Sequence, residues 1–140
     1  MVAVRGNAID IETRTLVGRI ENGWITLLRS KANGAERVRC HAMGSSPLQL
    51  VYPGQSPLDV LDRLAGRVSC HQRSPRRAEV RLHGWDADGV IAVSEDETTG
   101  DLVIEPSAYS SRAGVLSCRW LTPGIAADLE LIAPFFQGVR

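Results

Sequence analysis

The sequence predicts an α+β fold, a bent and mostly antiparallel β-sheet with two helices packed on one face. Short segments in which apolar and polar residues alternate, each ended by turn residues, indicate strands. These segments follow one another with short connections, which favours antiparallel pairing. Two further segments carry apolar residues at helical spacing directly after a proline, and these predict the helices.

The first fifty residues show the strand pattern most clearly. The alternation of Ala8 to Ile11 is typical of a half-buried strand. Asn22-Gly23 is the dipeptide that a tight hairpin turn prefers, because both central residues need a positive φ. Strands are therefore predicted at 8–11, 16–20, 24–28, 37–43 and 48–52.

The first helix is predicted to begin after Ser56, which can cap it, with Pro57 at the first helical position. It is expected to end near Cys70. Its apolar stripe consists of Leu58, Leu61, Leu64, Ala65 and Val68.

A second group of strands follows, and a second helix ends the chain. Strands are predicted at 79–85, 90–94, 102–105 and 115–121, with a turn at Asp86 to Gly89 and a loop from Pro106 to Gly114. The final helix is expected from Pro123 onward, with Ile125, Leu129, Ile132 and Phe136 on its apolar face.

Composition predicts one domain over residues 1–140. The 140 residues are 44% hydrophobic, which is enough to build a core without disulfides or metals. A formal net charge of zero does not favour a nucleic-acid-binding protein, whose domain is usually basic. No apolar run reaches the length of about 20 residues that a membrane-spanning helix needs. The odd number of cysteines, 3, and the absence of a secretory leader indicate reduced thiols and a cytoplasmic location.

Charge is unevenly distributed along the chain. Arginines are concentrated between Arg63 and Arg81, and acidic residues between Asp86 and Glu105 without an intervening Lys or Arg. Such neighbouring blocks either neutralise each other on one surface or orient a charged partner, and the sequence leaves both interpretations open.

The residue types suited to catalysis or metal binding lack the spacing that this chemistry needs. Cys40-His41 and Cys70-His71 are adjacent pairs, and adjacent side chains of a strand point to opposite faces. A Cys70 nucleophile would lie where a helix C-terminus disfavours the thiolate. The sequence therefore predicts no catalytic residue, no metal site and no cofactor.

The predicted binding surface combines an aromatic anchor with charged rims. Trp85 lies at the mouth of a predicted turn, where a large ring is hard to bury. The remaining residues of this surface are Asp86, Asp88, Arg73, Arg76 and Arg77.

The end of the chain resembles small, uncharacterised bacterial α+β domains of the immunity-protein-like kind. The resemblance covers the C-terminal half only and lies in Trp120-Leu-Thr-Pro-Gly124 followed by an apolar segment to Phe136. It implies a non-enzymatic binder and identifies no catalytic residue.

These observations predict a recognition protein for a protein or peptide partner, either immunity-like or a biosynthetic accessory, that does not act at a membrane. The opposite charge blocks also allow a homodimer. The alternative is a small enzyme or small-molecule-binding accessory protein that uses a Cys/His/Asp pocket.

We predict that the purified protein contains no stoichiometric zinc, because no spacing of its cysteines and histidines forms a ready-made set of ligands. Elemental analysis provides the measurement. A content of about one zinc per chain would contradict the prediction and identify these side chains as ligands.

Overall fold

The computed structural model describes residues 1–39, 47–53, 58–59, 68–83 and 87–120, and these form three antiparallel sheets. Sheet 1 has the order β1-β2-β3-β4-β5, sheet 2 the order β11-β10-β9-β8, and sheet 3 the order β12-β6-β7. The strands are β1 (Val2–Arg5), β2 (Ala8–Glu12), β3 (Leu16–Glu21), β4 (Trp24–Ser30), β5 (Glu36–Arg39), β6 (Leu48–Val51), β7 (Leu58–Asp59), β8 (Val68–Ser74), β9 (Arg77–Leu82), β10 (Ala87–Glu95), β11 (Leu102–Ser110) and β12 (Ser117–Trp120).

The predicted α+β class is wrong for this part of the chain, in which every regular element is a strand. Both described ends of the expected first helix are strands, β7 and β8. In β8, Val68 and Cys70 pair with the buried Leu82 and Val80 of β9, so strand pairing determines the structure where apolar spacing alone suggested a helix. The interior of that helix (residues 60–67) and the expected final helix lie outside the described residues.

Sheet 1 confirms the strands predicted at 8–11, 16–20 and 24–28 and the described part of the strand predicted at 37–43, and it contains β1, which was not predicted. Each strand pairs with the next in sequence. The turn between β3 and β4 is at Asn22-Gly23, with φ of 50° and 86°. A side chain at Gly23 would also collide with Pro47, whose Cγ lies 2.9 Å from the position of a Cβ. The turn therefore needs glycine for its backbone angle and for space.

Sheet 2 is a second meander, in which β10 and β11 are longer than the sequence predicts. The predicted turn at 86–89 is wrong for Ala87 to Gly89, which belong to β10. The predicted loop from Pro106 is also wrong, because β11 continues to Ser110 and pairs with β10 along its whole length. Pro106 is compatible with this strand because β11 is the outermost strand, where a residue without an N–H is tolerated on the open side.

Sheets 1 and 2 pack face to face around one apolar core. Ile9 and Ile20 of sheet 1 and Val80 and Ile91 of sheet 2 are fully buried. The alternation of side chains explains this arrangement, because every second residue of a strand faces the same side of its sheet. The core is aliphatic, as the scarcity of aromatic residues predicts.

Sheet 3 packs across one end of the two large sheets. Leu48 of β6 is fully buried in the same core, and its Cδ2 lies 2.8 Å from where a Cβ on Gly89 would be. Trp120 of β12 donates from Nε1 to the carbonyl of Gly23 at 3.1 Å. The absence of a side chain at Gly89 thus leaves room for Leu48 of β6 against sheet 2.

One glutamine side chain joins the edges of the two large sheets. Gln72 of β8 accepts a hydrogen bond from Val4 N–H at 2.9 Å and donates to the carbonyl of Val2 at 2.8 Å. Its amide nitrogen also donates to the carbonyls of Arg77, at 3.2 Å, and Ser74. A backbone hydrogen bond of 3.0 Å from Val2 N–H to the Pro75 carbonyl completes the contact. β1 and β8 are therefore joined, whereas β5 and β11 are the outer strands of their sheets.

We predict that Gln72→Leu lowers the free energy of unfolding by about 1–2 kcal/mol, because Val4 N–H and the carbonyls lose their partner at a site that water can still reach. Gln72→Glu is the matched variant, since it keeps the acceptor but places a carboxylate beside carbonyl oxygens. It should destabilise at least as much at neutral pH. Urea unfolding provides the measurement, and unchanged midpoints in both variants would show that this side chain does not hold the sheets together.

Candidate functional site

The structure describes four of the six predicted binding residues. Arg73 and Arg77 belong to β8 and β9, and Arg76 lies in the turn between these strands. Asp88 is near the start of β10, where its carboxylate lies 3.9 Å from Nδ1 of His83. Trp85 and Asp86 lie outside the described residues.

These four residues lie at two ends of sheet 2. Arg77 is the cross-strand partner of Ser94, at the far end of β10 from Asp88. The six-residue separation between Asp88 and Ser94 corresponds to about 20 Å along the strand. The structure therefore brings the three arginines together but places them apart from Asp88.

Arg73, Arg76 and Arg77 form what we call the basic turn, and two of these three arginines form ion pairs with nearby carboxylates. Arg73 lies 2.7 Å from Glu79, and Arg76 lies 3.5 Å from Glu97 at the tip of the β10–β11 hairpin. Arg81 also contacts Glu79, at 3.3 Å. The hydrogen bond from Arg73 is the largest cause that holds the pKa of Glu79 below its usual range. The basic turn and the acidic β10–β11 hairpin thus neutralise each other in part. This is one of the two interpretations of the charge blocks that the sequence left open.

The two described cysteines are poor nucleophiles. Cys70 packs against the core between the large sheets, and burial raises the pKa of its thiol to about 11. Burial also raises the pKa of Cys118. A thiolate is the reactive form, so both thiols are almost fully protonated at neutral pH. Cys40 and His41 lie outside the described residues, and within them no three His, Cys, Asp or Glu side chains group into a metal site.

A serine–histidine pair that the sequence analysis missed lies on the outer face of sheet 2. Ser69 Oγ and His71 Nε2 are 2.9 Å apart, as their alternation along β8 allows. Glu79 is the cross-strand partner of His71, but its hydrogen bonds run to Arg73 and Arg81. A catalytic histidine needs a third group to orient it and a water-excluding site. The exposed His71 has neither among the described residues.

A shallow groove of about 320 Å³ on the outer face of sheet 1 was also not predicted. Val17 and Leu27 supply its apolar floor. Its charged residues are already paired, Asp10 with Arg19 at 2.6 Å and Glu12 with Lys31 at 2.9 Å. The groove thus offers space for an apolar group but no polar side chain without a partner.

The most prominent exposed feature lies on β11. Leu102, Ile104 and Ala108 pack against the core, so the alternate residues lie on the outer face of sheet 2. We call this row the β11 stripe: Asp101, Val103, Glu105, Ser107 and Tyr109.

Tyr109 is the dominant residue of the β11 stripe, with 74% of its surface exposed. Its cross-strand partner is Asp88, one of the predicted binding residues. Trp24, by contrast, is buried, and Trp120 packs partly against the core. Sequence reasoning missed Tyr109 because Pro106 suggested a loop.

We predict that Cys70 and Cys118 react slowly with iodoacetamide in the folded protein, because their raised pKa leaves little thiolate. Peptide mapping by mass spectrometry after timed alkylation at pH 8 measures the rate at each cysteine. The same protein in urea is the control, in which both thiols should react like free cysteine. Equally fast reaction of Cys70 in the folded protein would contradict the burial described here.

In the described part of the chain, no helix has the length and apolar character needed to cross a lipid bilayer. Comparisons of the chain with protein-family models, curated proteins and solved structures found no match. The resemblance of the C-terminal half to immunity-protein-like domains therefore stays a prediction.

Proposed function

We propose that this chain is a recognition protein that binds a protein or peptide partner through the β11 stripe. The observation that carries the proposal is Tyr109, an aromatic side chain 74% exposed on a regular strand at the edge of a sheet. A tyrosine offers a large contact area together with a polar hydroxyl, and it is enriched among residues that dominate binding energy.

The position of Tyr109 on the strand supports this role. β11 pairs with β10 at every residue from Leu102 to Ser110, so the backbone that carries the ring is held in place. A side chain on such a strand loses less conformational freedom on binding than one on a loose loop. Glu105 and Asp101 on the same face add charge that can orient a partner.

One described residue of the predicted binding surface, Asp88, lies beside the β11 stripe at one end of sheet 2. Asp88 lies directly across from Tyr109, and β10 begins immediately after residues 84–86, which include Trp85. The Trp85 and Asp86 contributions remain predictions. The arginines of the β8–β9 turn lie at the other end of the sheet and are not part of the proposed surface.

The enzyme alternative has less support among the described residues. Burial leaves the two described thiols protonated, and the Ser69–His71 pair is exposed and has no described carboxylate to orient it.

We predict that a peptide-display selection with the immobilised protein enriches sequences whose binding depends on Tyr109. Tyr109→Ala should weaken the selected peptides by more than about 2 kcal/mol, since it removes the anchor and its contact area. Arg39→Ala is the matched control, because it truncates a long, exposed side chain on the other large sheet. Isothermal titration calorimetry measures both variants.

Two results would contradict the proposal. The first is the absence of enrichment above that found with an unrelated protein of similar size. The second is enrichment of peptides that bind wild-type protein and Tyr109→Ala with equal affinity, which would place the recognition surface elsewhere.

A further inference from the structure

We infer that the partner segment is a basic, extended strand that adds to the open edge of β11 at residues 102–106, antiparallel to it. This inference rests on the proposed function and specifies its binding mode and the chemistry of the partner. It follows from the direction of the backbone groups, the unpaired charges and the row of side chains along this edge.

The hydrogen-bond pattern shows which backbone groups point outward. Asp96 N–H donates to the Asp101 carbonyl at 2.9 Å, so Asp96 faces β11, whereas Glu95 N–H donates to the Arg76 carbonyl at 3.0 Å and thus faces away from its partner Leu102. Hydrogen-bonded and non-hydrogen-bonded pairs alternate along an antiparallel ladder. Leu102 and Ile104 therefore direct their N–H and C=O groups away from β10. Pro106 falls in the same class, which explains why its missing N–H leaves the pairing with β10 intact.

This outer edge has no strand partner among the described residues, because β11 is the terminal strand of sheet 2. It exposes the N–H and C=O groups of Leu102 and Ile104 and the carbonyl of Pro106. Extended peptides bind such edges by continuing the ladder, and alternate side chains then provide selectivity. Pro106 cannot donate, so it limits the ladder to the first half of β11.

The charge along this edge favours a basic partner. Asp101 and Glu105 are exposed, lie on the outer face and form no ion pair with a described residue. No Lys, Arg or His occurs from residue 87 to residue 111. A strand laid beside β11 would place every second side chain next to these two carboxylates, and opposite charges at neighbouring positions stabilise strand pairing.

The other face of the added strand would be apolar. Leu102 and Ile104 are half-buried at the margin of the core, so apolar side chains beside them would extend the buried surface. In an antiparallel pairing, these inner-face residues are also the ones whose N–H and C=O groups bond to Leu102 and Ile104. The complementary segment therefore alternates basic and apolar residues.

The test uses a fluorescently labelled eight-residue peptide in which arginine alternates with valine, with fluorescence anisotropy as the measurement. Glu105→Lys should weaken binding by about tenfold or more, because it replaces attraction with repulsion beside the peptide. Glu36→Lys is the matched control, since it makes the same charge change at an exposed position of sheet 1 and should leave affinity within about twofold.

Two N-methylated peptides separate strand addition from simple charge attraction. Methyl groups on the valine nitrogens should abolish binding, because these N–H groups bond to β11, whereas methyl groups on the arginine nitrogens should be tolerated. Equal binding of the two peptides, or the reverse order, would overturn the inference. An affinity that Glu105→Lys leaves unchanged would also overturn it.

The two binding experiments together distinguish failure of this inference from failure of the proposed function. If display yields Tyr109-dependent peptides but the arginine–valine peptide does not bind, the inference fails and the function stands. If no Tyr109-dependent peptide is selected but the probe binds as described, the edge site stands and the anchoring role proposed for Tyr109 fails. The last experiment is sedimentation of the protein alone. If the wild-type protein is a dimer and Glu105→Lys is a monomer, the edge binds a second copy of this chain, and the inference of a different partner is overturned.

Discussion

The contact between Gln72 and the first strand joins the edges of the two large sheets, which share one apolar core. Gln72 bonds to the backbone of Val2 and Val4, and Val2 in turn bonds to Pro75 in the β8–β9 turn. An edge strand otherwise exposes unpaired backbone groups. Gln72 satisfies Val4 N–H and the Val2 carbonyl on β1, so β1 and β8 lie edge to edge. The other outer strands of the two large sheets are β5 and β11, and they have no strand on their outer side among the described residues.

Packing of its inner face against the core holds β11 in place. Its inner-face residues pack against the core formed by sheets 1 and 2, while sheet 3 packs across the end of that core. Leu48 and Trp120 hold sheet 3 in place, and Gly23 and Gly89 provide the space that this packing requires. The outer face of β11 contributes nothing to the core, so Tyr109 and the acidic residues are free for recognition without a cost in stability.

The charge pattern illustrates how sequence proximity and spatial proximity differ. Arg73 and Arg76 are close in sequence to the acidic segment, and in the structure they are neutralised by Glu79 and Glu97. Exposed ion pairs of this kind stabilise little, but they leave less free charge for a partner. The described acidic residues that form no ion pair include Asp101 and Glu105 of the β11 stripe, as well as Asp96, whose carboxylate accepts hydrogen bonds from the Thr98 and Thr99 N–H groups.

The sequence by itself determined four of the five strands of the first sheet, β2 to β5, the Asn22-Gly23 turn and the aliphatic core, because alternation and turn chemistry are local properties. The sequence also predicted parts of β10 and β11, the two strands of the acidic hairpin. Only the tertiary structure decided that Val68 to Ser74 is a strand, since its pairing with β9 overrides an apolar spacing that also fits a helix. Tertiary structure likewise decided that β11 extends past Pro106 and exposes Tyr109. A proline is acceptable in a strand only at an open edge, and which edge is open depends on the packing of the whole sheet.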